Sequence, residues 1–575
     1  MCEEECVYMP LIGVEKSLCV GCNACIRACP APEANKTVLD DETGQSFTSI
    51  NHERCIGCGE CIRTCRHGAR YFEDDLARFM RDVKNEKIDI IAAPSIKTAF
   101  PKKWRKILDW FRGEGAAAVY DGSLGADICT WAHLKYIEDH PDKKIITQPC
   151  AAIVNYIKKY RRELLGSLSP IHSPLACEAV YLKEYVKVEH KLACLTPCIA
   201  KKDEFDETGL VDYNITFSKL SEYFEKKKIQ LSEDAQFTFQ YNFNDMQGTL
   251  GGIYPRPGGL RDNLWFKDPD LNITTSEGVH KVYPELDLYA TTPDSMRPDV
   301  FDVLSCEYGC TVGPGSAFKT GTFEIMDIMH TVEIESKKLR RDGRTRKSLF
   351  ADRDRLFEDL DRNLDYSKFV RVYKATGNLP YVPKDADLES AYLSMGKVTE
   401  AERNYDCHAC GYKSCREMAV AVYRGLNVPS NCMVFARTAL QKRYKEVEKL
   451  TKSVGDFATK LTADTENIYA SLLSIDERNK QGLKYTGVVD NLLNQVISKY
   501  DGETELDEEQ INELIMVLNK LQSSLAVMNS ISSDTATNSA AIREAMEEVA
   551  NATMELSRMV DELVNKFEGG TESES

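Results

Sequence analysis

Cysteine is laid down along this chain in blocks. Ten of the 21 cysteines lie in residues 1–65, seven in 129–310, four in 407–432 and none in 433–575. Cysteine used as a small apolar filler would be scattered. Blocks separated by long cysteine-free stretches point to separate modules with separate metal content, since the thiolate is a metal ligand. The opening residues, MCEEECVYMP, lack the basic-then-apolar layout of a secretory signal. No run of about 18 apolar residues appears, so no membrane span is expected. Metal ligation in a reducing cytoplasm is therefore expected over a disulfide framework. At 575 residues the chain has room for roughly four domains. Its 90 acidic and 73 basic residues give a net charge of −17, which argues against nucleic acid or an anionic membrane surface as the main partner.

The first block repeats one spacing twice. Cys19, Cys22, Cys25 and Cys29 form C-x2-C-x2-C-x3-C, followed by Pro30. Cys55, Cys58, Cys61 and Cys65 repeat it with Arg66 in place of the proline. This is the spacing of bacterial two-cluster ferredoxins, in which three close cysteines wrap a [4Fe-4S] cube and the fourth of each run ligates the other cube. Cys19, Cys22, Cys25 and Cys65 are expected on one cluster, and Cys55, Cys58, Cys61 and Cys29 on the other, in a ferredoxin-like domain over residues 1–80. Zinc would use four ligands, usually in pairs, and fits less well. Cys2 and Cys6 are left over, either as thiols at a frayed terminus or as part of a further site.

Residues 83–370 read as mixed α/β. Apolar β-type runs at 88–93, 144–147 and 191–195 alternate with helical stretches at 102–113, 151–165 and 174–185, the signature of a parallel sheet with helices on its faces. Two cysteine peptides sit at strand ends, where such sheets bind ligands: Thr147-Gln-Pro-Cys150, and Leu195-Thr-Pro-Cys198-Ile-Ala-Lys201. A third, Cys306-Glu-Tyr-Gly-Cys310-Thr-Val-Gly313, is expected in a glycine-rich loop. Together they supply four thiolates. Cys129, Cys177 and Cys194 read as buried small hydrophobes.

These three peptides, with Ala93-Pro94-Ser95 before them, resemble the signature peptides of [FeFe]-hydrogenases, and the resemblance covers roughly residues 1–370. It implies an H-cluster: a [4Fe-4S] cube joined through one cysteine to a diiron subcluster carrying CO, cyanide and an azadithiolate bridge. By motif position Cys150, Cys198 and Cys306 would ligate the cube, and Cys310 would bridge it to the diiron unit. Lys201 would hydrogen-bond a cyanide, and Pro94 and Ser95 would line the diiron pocket, Ser95 near the other cyanide. Protons and H2 would be the substrates, with ferredoxin or another electron carrier as partner. The chain departs from the pattern where catalytic members carry a proton relay. Pro149 stands in place of the leading cysteine of the first peptide. Ala132 and His133 stand in place of paired carboxylates on the preceding helix. Thr196 and Leu304 replace expected methionines. The usual route for protons is broken, so turnover is expected to be slow, or to use His133, Glu204 or water.

Cys407-His-Ala-Cys410-Gly-Tyr412-Lys-Ser-Cys415, closed by Cys432, resembles a small [4Fe-4S] domain of redox subunits and of some hydrogenase-like sensory proteins. A fourth cubane is expected over residues 385–435, with zinc as the alternative. From Leu440 a 4-3 apolar seam runs through Tyr444, Val447, Thr451, Val454, Ala458, Leu461, Thr465, Ile468, Leu472 and Ile475. It weakens at 479–487 and resumes at Val489, Leu493, Val496 and Tyr500. After Asp501-Gly502 a second seam runs from Ile511 through Leu514, Leu518, Leu521, Leu525 and Met528 to Ile542, Met546, Val549, Leu556, Val560, Leu563 and Phe567. Such spacing specifies a supercoil, with arms roughly 80–90 Å long at 1.5 Å per residue. The rod, residues 436–568, is expected to be a coiled-coil hairpin that dimerises into a four-helix bundle and resembles the cytoplasmic signalling rods of chemoreceptors. The polar tail, 569–575, is expected to be disordered. Three functional readings compete. The chain is a slow, hydrogen-sensing hydrogenase signalling through the rod to a kinase or phosphatase. Alternatively it is a ferredoxin-linked hydrogenase with the rod used only for assembly, or a non-catalytic iron–sulfur scaffold.

Overall fold

The computed structural model describes residues 11–31, 33–40, 45–237, 239–317, 321–338, 346–377, 381, 383–499 and 506–568. Cys2, Cys6, Tyr500, the turn at 501–502 and the 569–575 tail lie outside the described residues. The chain divides into two compact units, Met1–Phe435 and Ala436–Ser575.

The first unit begins with two antiparallel ribbons and two short helices. Strand β1 (Ile12–Val14) pairs with β4 (Arg70–Phe72), and β2 (Asn35–Leu39) with β3 (Ser46–Ile50). Helices α1 (Ala24–Arg27) and α2 (Glu60–Thr64) each carry the third cysteine of a run. Gly57 and Gly59 adopt left-handed backbone (φ 73° and 72°), the conformation open to glycine that lets a chain turn tightly around sulfur.

The α/β region holds two parallel sheets, where the sequence pattern suggests one. After α3 (Leu76–Asp82), β5 (Ile88–Ala92) lies between β6 (Val119–Asp121) and β8 (Lys191–Thr196), with β9 (Tyr213–Thr216) outermost. The expected 144–147 run does not join them. Its strand β7 (Ile145–Ile146) pairs with β11 (Val300–Leu304), which also pairs with β10 (Ile273–Glu277). The second sheet is built from segments far apart in sequence, which is why local periodicity does not reveal it. β5 is buried at every position, as a central parallel strand should be. Helix α4 (Ile96–Ala99) follows β5. Helix α5 (Trp104–Glu114) buries Trp104, Ile107, Leu108 and Phe111, an i, i+3, i+4, i+7 stripe, and ends at Gly115 in left-handed backbone. Three helices matter for the site: α6 (Gly122–Asp139), α7 (Ala151–Tyr160) and α8 (Pro174–Tyr181). Pro174 opens α8 at a position where its missing N–H costs no bond. Helix α9 (Lys201–Thr208) follows β8.

The 404–432 segment packs on the ferredoxin-like part. Leu426 O accepts from Thr37 N at 2.8 Å, Asn431 Nδ2 donates to Thr37 Oγ1 at 3.3 Å, and Arg424 pairs with Glu33.

The second unit consists of two long helices, Met433–Lys499 (from Ala436 onward) and Glu508–Glu568. They run antiparallel: Lys499 pairs with Glu513, Arg478 with Asp534 at 2.5 Å, and Gly482 lies under Ile531. The helix is continuous through 479–487, where the apolar pattern weakens. The predicted seam is divided in two. Val447, Val454, Leu461, Ile468, Ile475, Val489 and Val496 are half-buried, as are Leu514, Leu521, Met528, Val549 and Leu556, with Ile542 buried. The intervening seam positions Tyr444, Leu472, Leu493, Ile511, Leu518, Leu525, Met546 and Val560 are exposed.

Candidate metal centres

The pocket of the α/β region is built by the segments that leave the ends of four parallel strands. Pro94 and Ser95 come after β5, Cys198 and Lys201 after β8, Cys150 after β7, and Cys306 and Cys310 after β11, and all of them line one pocket. Two sheets thus aim their carboxyl ends at one space, the location expected for a ligand in parallel α/β architecture. The third cysteine peptide, expected in a glycine-rich loop, therefore comes directly after a strand that the sequence pattern does not reveal. Pro149, Pro174, Leu175, Pro197, Pro314, Ala126 and Leu304 complete a largely apolar wall.

Lys201 is buried with its Nζ donating to Ser173 Oγ at 2.7 Å and paired with Glu204. Arg371 Nη1 lies 3.4 Å from the other oxygen of Glu204. Burial pulls the Lys201 ammonium down, but the paired Glu204 carboxylate opposes it and the balance lies above the usual lysine value. Burial also pushes up the thiols of Cys306 and Cys310, and takes Cys198 to about 11. Bare, these thiols stay protonated, so a metal group must displace their protons on binding. Ser95 is 1% exposed, and among the described residues its Oγ has no hydrogen-bond partner. An unsatisfied buried hydroxyl at the wall of a pocket with four thiols and one ammonium suits a polar, anionic metal group. The residues fit a cube joined to a second iron unit.

The other cysteines fall into three sets. Cys29, Cys55, Cys58 and Cys61, the four residues expected on one cluster, line one small cavity. Cys58 also lines the main pocket, so the two spaces share a wall. Cys19 and Cys25 both approach Thr48 Oγ1, at 3.6 and 3.4 Å, and Arg70 Nη2 lies 3.0 Å from Cys25 Sγ. Cys22 is exposed and Cys65 half-buried; among the described residues no hydrogen bond ties either to that pair. Cys407, Cys410, Cys415 and Cys432 line a third cavity, with His408, Tyr412 and the buried Lys397. Tyr412 packs among Ile12, Cys25, Ile26 and Cys61 of the ferredoxin-like part. Among the described residues no three His, Cys, Asp or Glu groups converge to single-ion distance. The thiols ring spaces instead.

The relay alternatives are placed less favourably. His133 is fully buried, with Nδ1 donating to Cys129 O at 2.8 Å and Nε2 within 2.9 Å of Ser169 Oγ and 3.2 Å of Gln148 Oε1. It is a satisfied helix residue and does not line the pocket. Glu204 is held as a carboxylate: burial raises it, but Lys201 and Arg371 lower it further than that. Cys177 and Cys194 are buried away from the pocket. Cys129 is buried too, but its sulfur lies 3.6 Å from His133 Nδ1, more than an apolar filler needs. Ser173, Arg371 and Tyr254 belong to the site's surroundings and carry no sequence signal of it; Arg371 lies beyond every motif, and only the fold brings it to Glu204.

A family model described as iron only hydrogenase large subunit, C-terminal domain, matches residues 86–314. A 4Fe-4S dicluster domain matches residues 18–69, and a putative Fe-S cluster domain residues 404–436. No curated protein matches the chain. Among solved structures, an [FeFe]-hydrogenase studied for oxygen inactivation of its H cluster is 13% identical, with a TM-score of 0.40, covering 53% of this chain and 100% of that chain. A variant of HydA1 from Chlamydomonas reinhardtii is also 13% identical, with a TM-score of 0.39 and the same coverage.

Proposed function

Starting from an [FeFe]-hydrogenase-like chain with a hydrogenase large-subunit domain at residues 86–314, we propose that it interconverts H2 with protons and electrons slowly and reports hydrogen or redox state through its C-terminal helices. The observation that carries this reading is the single pocket lined by Cys150, Cys198, Cys306, Cys310, Lys201 and Ser95. In this reading Cys150, Cys198, Cys306 and Cys310 would be the residues that hold an H-cluster. When bound, that H-cluster supplies the iron chemistry of H2 cleavage and formation. The protein supplies the rest. Lys201 gives fixed positive charge, kept in place by Glu204 and Ser173. Ser95 offers an unspent hydroxyl, and the proline-rich wall excludes water.

Electrons would enter or leave through the wall shared at Cys58, by way of the ferredoxin-type clusters. The Cys407–Cys432 cluster would take part in the same exchange, because Tyr412 packs against the core that holds Cys25 and Cys61. An external ferredoxin or similar carrier would be the donor or acceptor. The exposed half of the heptad seam would be covered by a second copy of the chain, since its exposed apolar residues stand at multiples of seven residues on both helices (Tyr444, Leu472 and Leu493; Ile511, Leu518, Leu525, Met546 and Val560) and match the same stripe on an identical hairpin. A kinase or phosphatase reading the rod, in the cytoplasm, completes the sensing proposal.

Two measurements test it. The matured protein should evolve H2 with a reduced carrier at a low rate, and Pro149→Cys should raise that rate if the missing relay limits it. Loading of every iron–sulfur cluster without any H2 turnover or H/D exchange would select the scaffold reading.

A further inference from the structure

Behind one wall of the main pocket lies a second polar cluster that none of the cofactor ligands uses. Glu178 is the single acid of the apolar helix α8, and it is 1% exposed. Among the described residues neither of its carboxyl oxygens makes a hydrogen bond of good geometry, although the backbone N–H of Gly125 faces the group. Its side chain lies where α8 crosses α6, against Gly125; a Cβ there would come within 2.6 Å of Glu178 Cβ, so the glycine makes the room.

Further unspent groups lie on the neighbouring elements. Lys97 Nζ on α4, Ser123 Oγ on α6 and Ser95 Oγ before α4 are buried and, among the described residues, also lack hydrogen-bond partners. Lys97 Nζ lies 3.9 Å from Asp121 Oδ1 and 4.5 Å above the Phe239 ring. The two neighbouring aspartates differ from Glu178. Asp121 accepts from the N–H groups of Ser123 and Gly248, each at 3.1 Å. Asp127 accepts from Gly251 N at 2.8 Å and from the Thr249 hydroxyl at 2.9 Å. Both carboxyl groups thus have hydrogen-bond donors, as Glu178 does not to the same degree. Burial first, then the charges of Asp121, Asp245 and Asp127, raise Glu178 well above the usual glutamate range. Burial likewise lowers Lys97, with Asp121 opposing. Tyr120 and Tyr181 also face the cluster, as do the buried thiols of Cys177 and Cys194, all pushed up by burial and by nearby charges that include Glu178.

The cluster has two ends. Tyr181, on α8 three residues beyond Glu178, donates to Asp245 Oδ2 at 3.1 Å, and Asp245 is partly exposed. At the other end, Ser95 lines the pocket, as do Pro174 and Leu175, one turn before Glu178, and Ala126, three residues after Ser123. Unsatisfied polar groups gathered in one buried place are the setting in which proteins hold internal water.

We propose that Glu178 is the proton-holding residue of a second route into the pocket, in which water held by Ser123 and Lys97 links it to Ser95 on one side and Tyr181–Asp245 links it to solvent on the other. The route stands in for the one that Pro149 interrupts, and it rests on the proposed hydrogenase reading. In each transfer one proton leaves the Glu178 carboxyl toward the pocket and one enters from the Asp245 side, or the reverse. No side chain undergoes net change.

The test has two arms. In the full-length protein before diiron loading, infrared spectra at neutral pH should show the carbonyl band of a protonated carboxylic acid. The band should shift with deuteration and with carbon-13 glutamate, and disappear in Glu178→Gln. The labelled wild type gives the answer even if that variant fails to fold, and absence of the band overturns the proposal. In the matured protein, Glu178→Gln should slow H/D exchange about 100-fold or more with the diiron infrared bands unchanged. Glu178→Asp should retain intermediate activity with a displaced pH profile. Equal exchange rates in Glu178→Gln and wild type, both carrying those bands, would overturn it. A matured wild type without CO and cyanide bands would instead defeat the hydrogenase reading, and the acid band would still report on Glu178.

Discussion

The pocket of Cys150, Cys198, Cys306 and Cys310 and the cavity of Cys407, Cys410, Cys415 and Cys432 each present four thiols, but they are made in opposite ways. The first is assembled from the ends of strands in two separate sheets, and its ligands lie among apolar residues and one buried ion pair. The second is local. Three ligands precede or open the short helix Cys415–Tyr423, and the turn Pro429–Asn431 returns the fourth. Cys407 there is exposed. The local site can be lost or changed without touching the α/β core. The long-range site cannot exist without it.

The largest effect that would break this contrast comes from ligand removal. Cys198→Ala should abolish H2 activity and the CO and cyanide infrared bands, while the paramagnetic signal of the Cys407–Cys432 cluster stays. Cys432→Ala should do the reverse. Loss of both signals in either variant would show that the two centres are not independent.

Next is the ion pair behind the main pocket. Removing one partner of a buried pair costs about 3–5 kcal/mol, because the other charge is left unmatched. Lys201→Met should therefore lower the thermal midpoint clearly, and the double change Lys201→Met with Glu204→Gln should recover part of it, Arg371 then losing a partner. No difference between single and double variants would show that the pair is not coupled.

A smaller, pH-dependent effect is expected at Asp302 on β11. It is buried, accepts from the Thr147 hydroxyl at 3.2 Å, and is raised by burial to about 6. A carboxyl whose pKa is raised on folding binds its proton more tightly in the native state. Stability should therefore fall as pH rises from the unfolded value through about 6, by at most about 3 kcal/mol at one pKa unit per 1.36 kcal/mol. Melting curves of Asp302→Asn across that range should be flatter than wild type. The smallest effect belongs to the interface of the local site. Tyr412→Phe removes only the 3.3 Å bond from Asn427 Nδ2. It should cost about 1 kcal/mol and leave both sets of iron signals in place.

The same contrast explains what could be read from sequence. The closely spaced cysteine runs could be picked out from spacing, because three-residue intervals place sulfurs near one another; that Cys29 comes to one cavity with Cys55, Cys58 and Cys61 is the work of the fold. The main pocket was legible only through resemblance to known peptides. Nothing in the spacing from residue 150 to residue 310 brings those segments together; that is done by pairing β7 with β11 and β5 with β8. β7 is two residues long and β6 three, too short for periodicity to separate strand from loop. The rod shows the other limit. A 4-3 pattern identifies the apolar seam, but not which half faces the hairpin partner and which half is left exposed. Glu178 carried a signal, one acid in PLACEAVY, but its meaning depends on Gly125, Lys97 and Asp121 from other elements.

The most direct test of an H-cluster held by four distant cysteines is infrared spectroscopy of the matured full-length protein beside its Cys310→Ala variant. The wild type should show CO and cyanide bands, and the variant should lose them with the ferredoxin-type cluster signals retained. Fully loaded iron–sulfur clusters with no such bands in the wild type, or bands that survive the loss of Cys310, would contradict it.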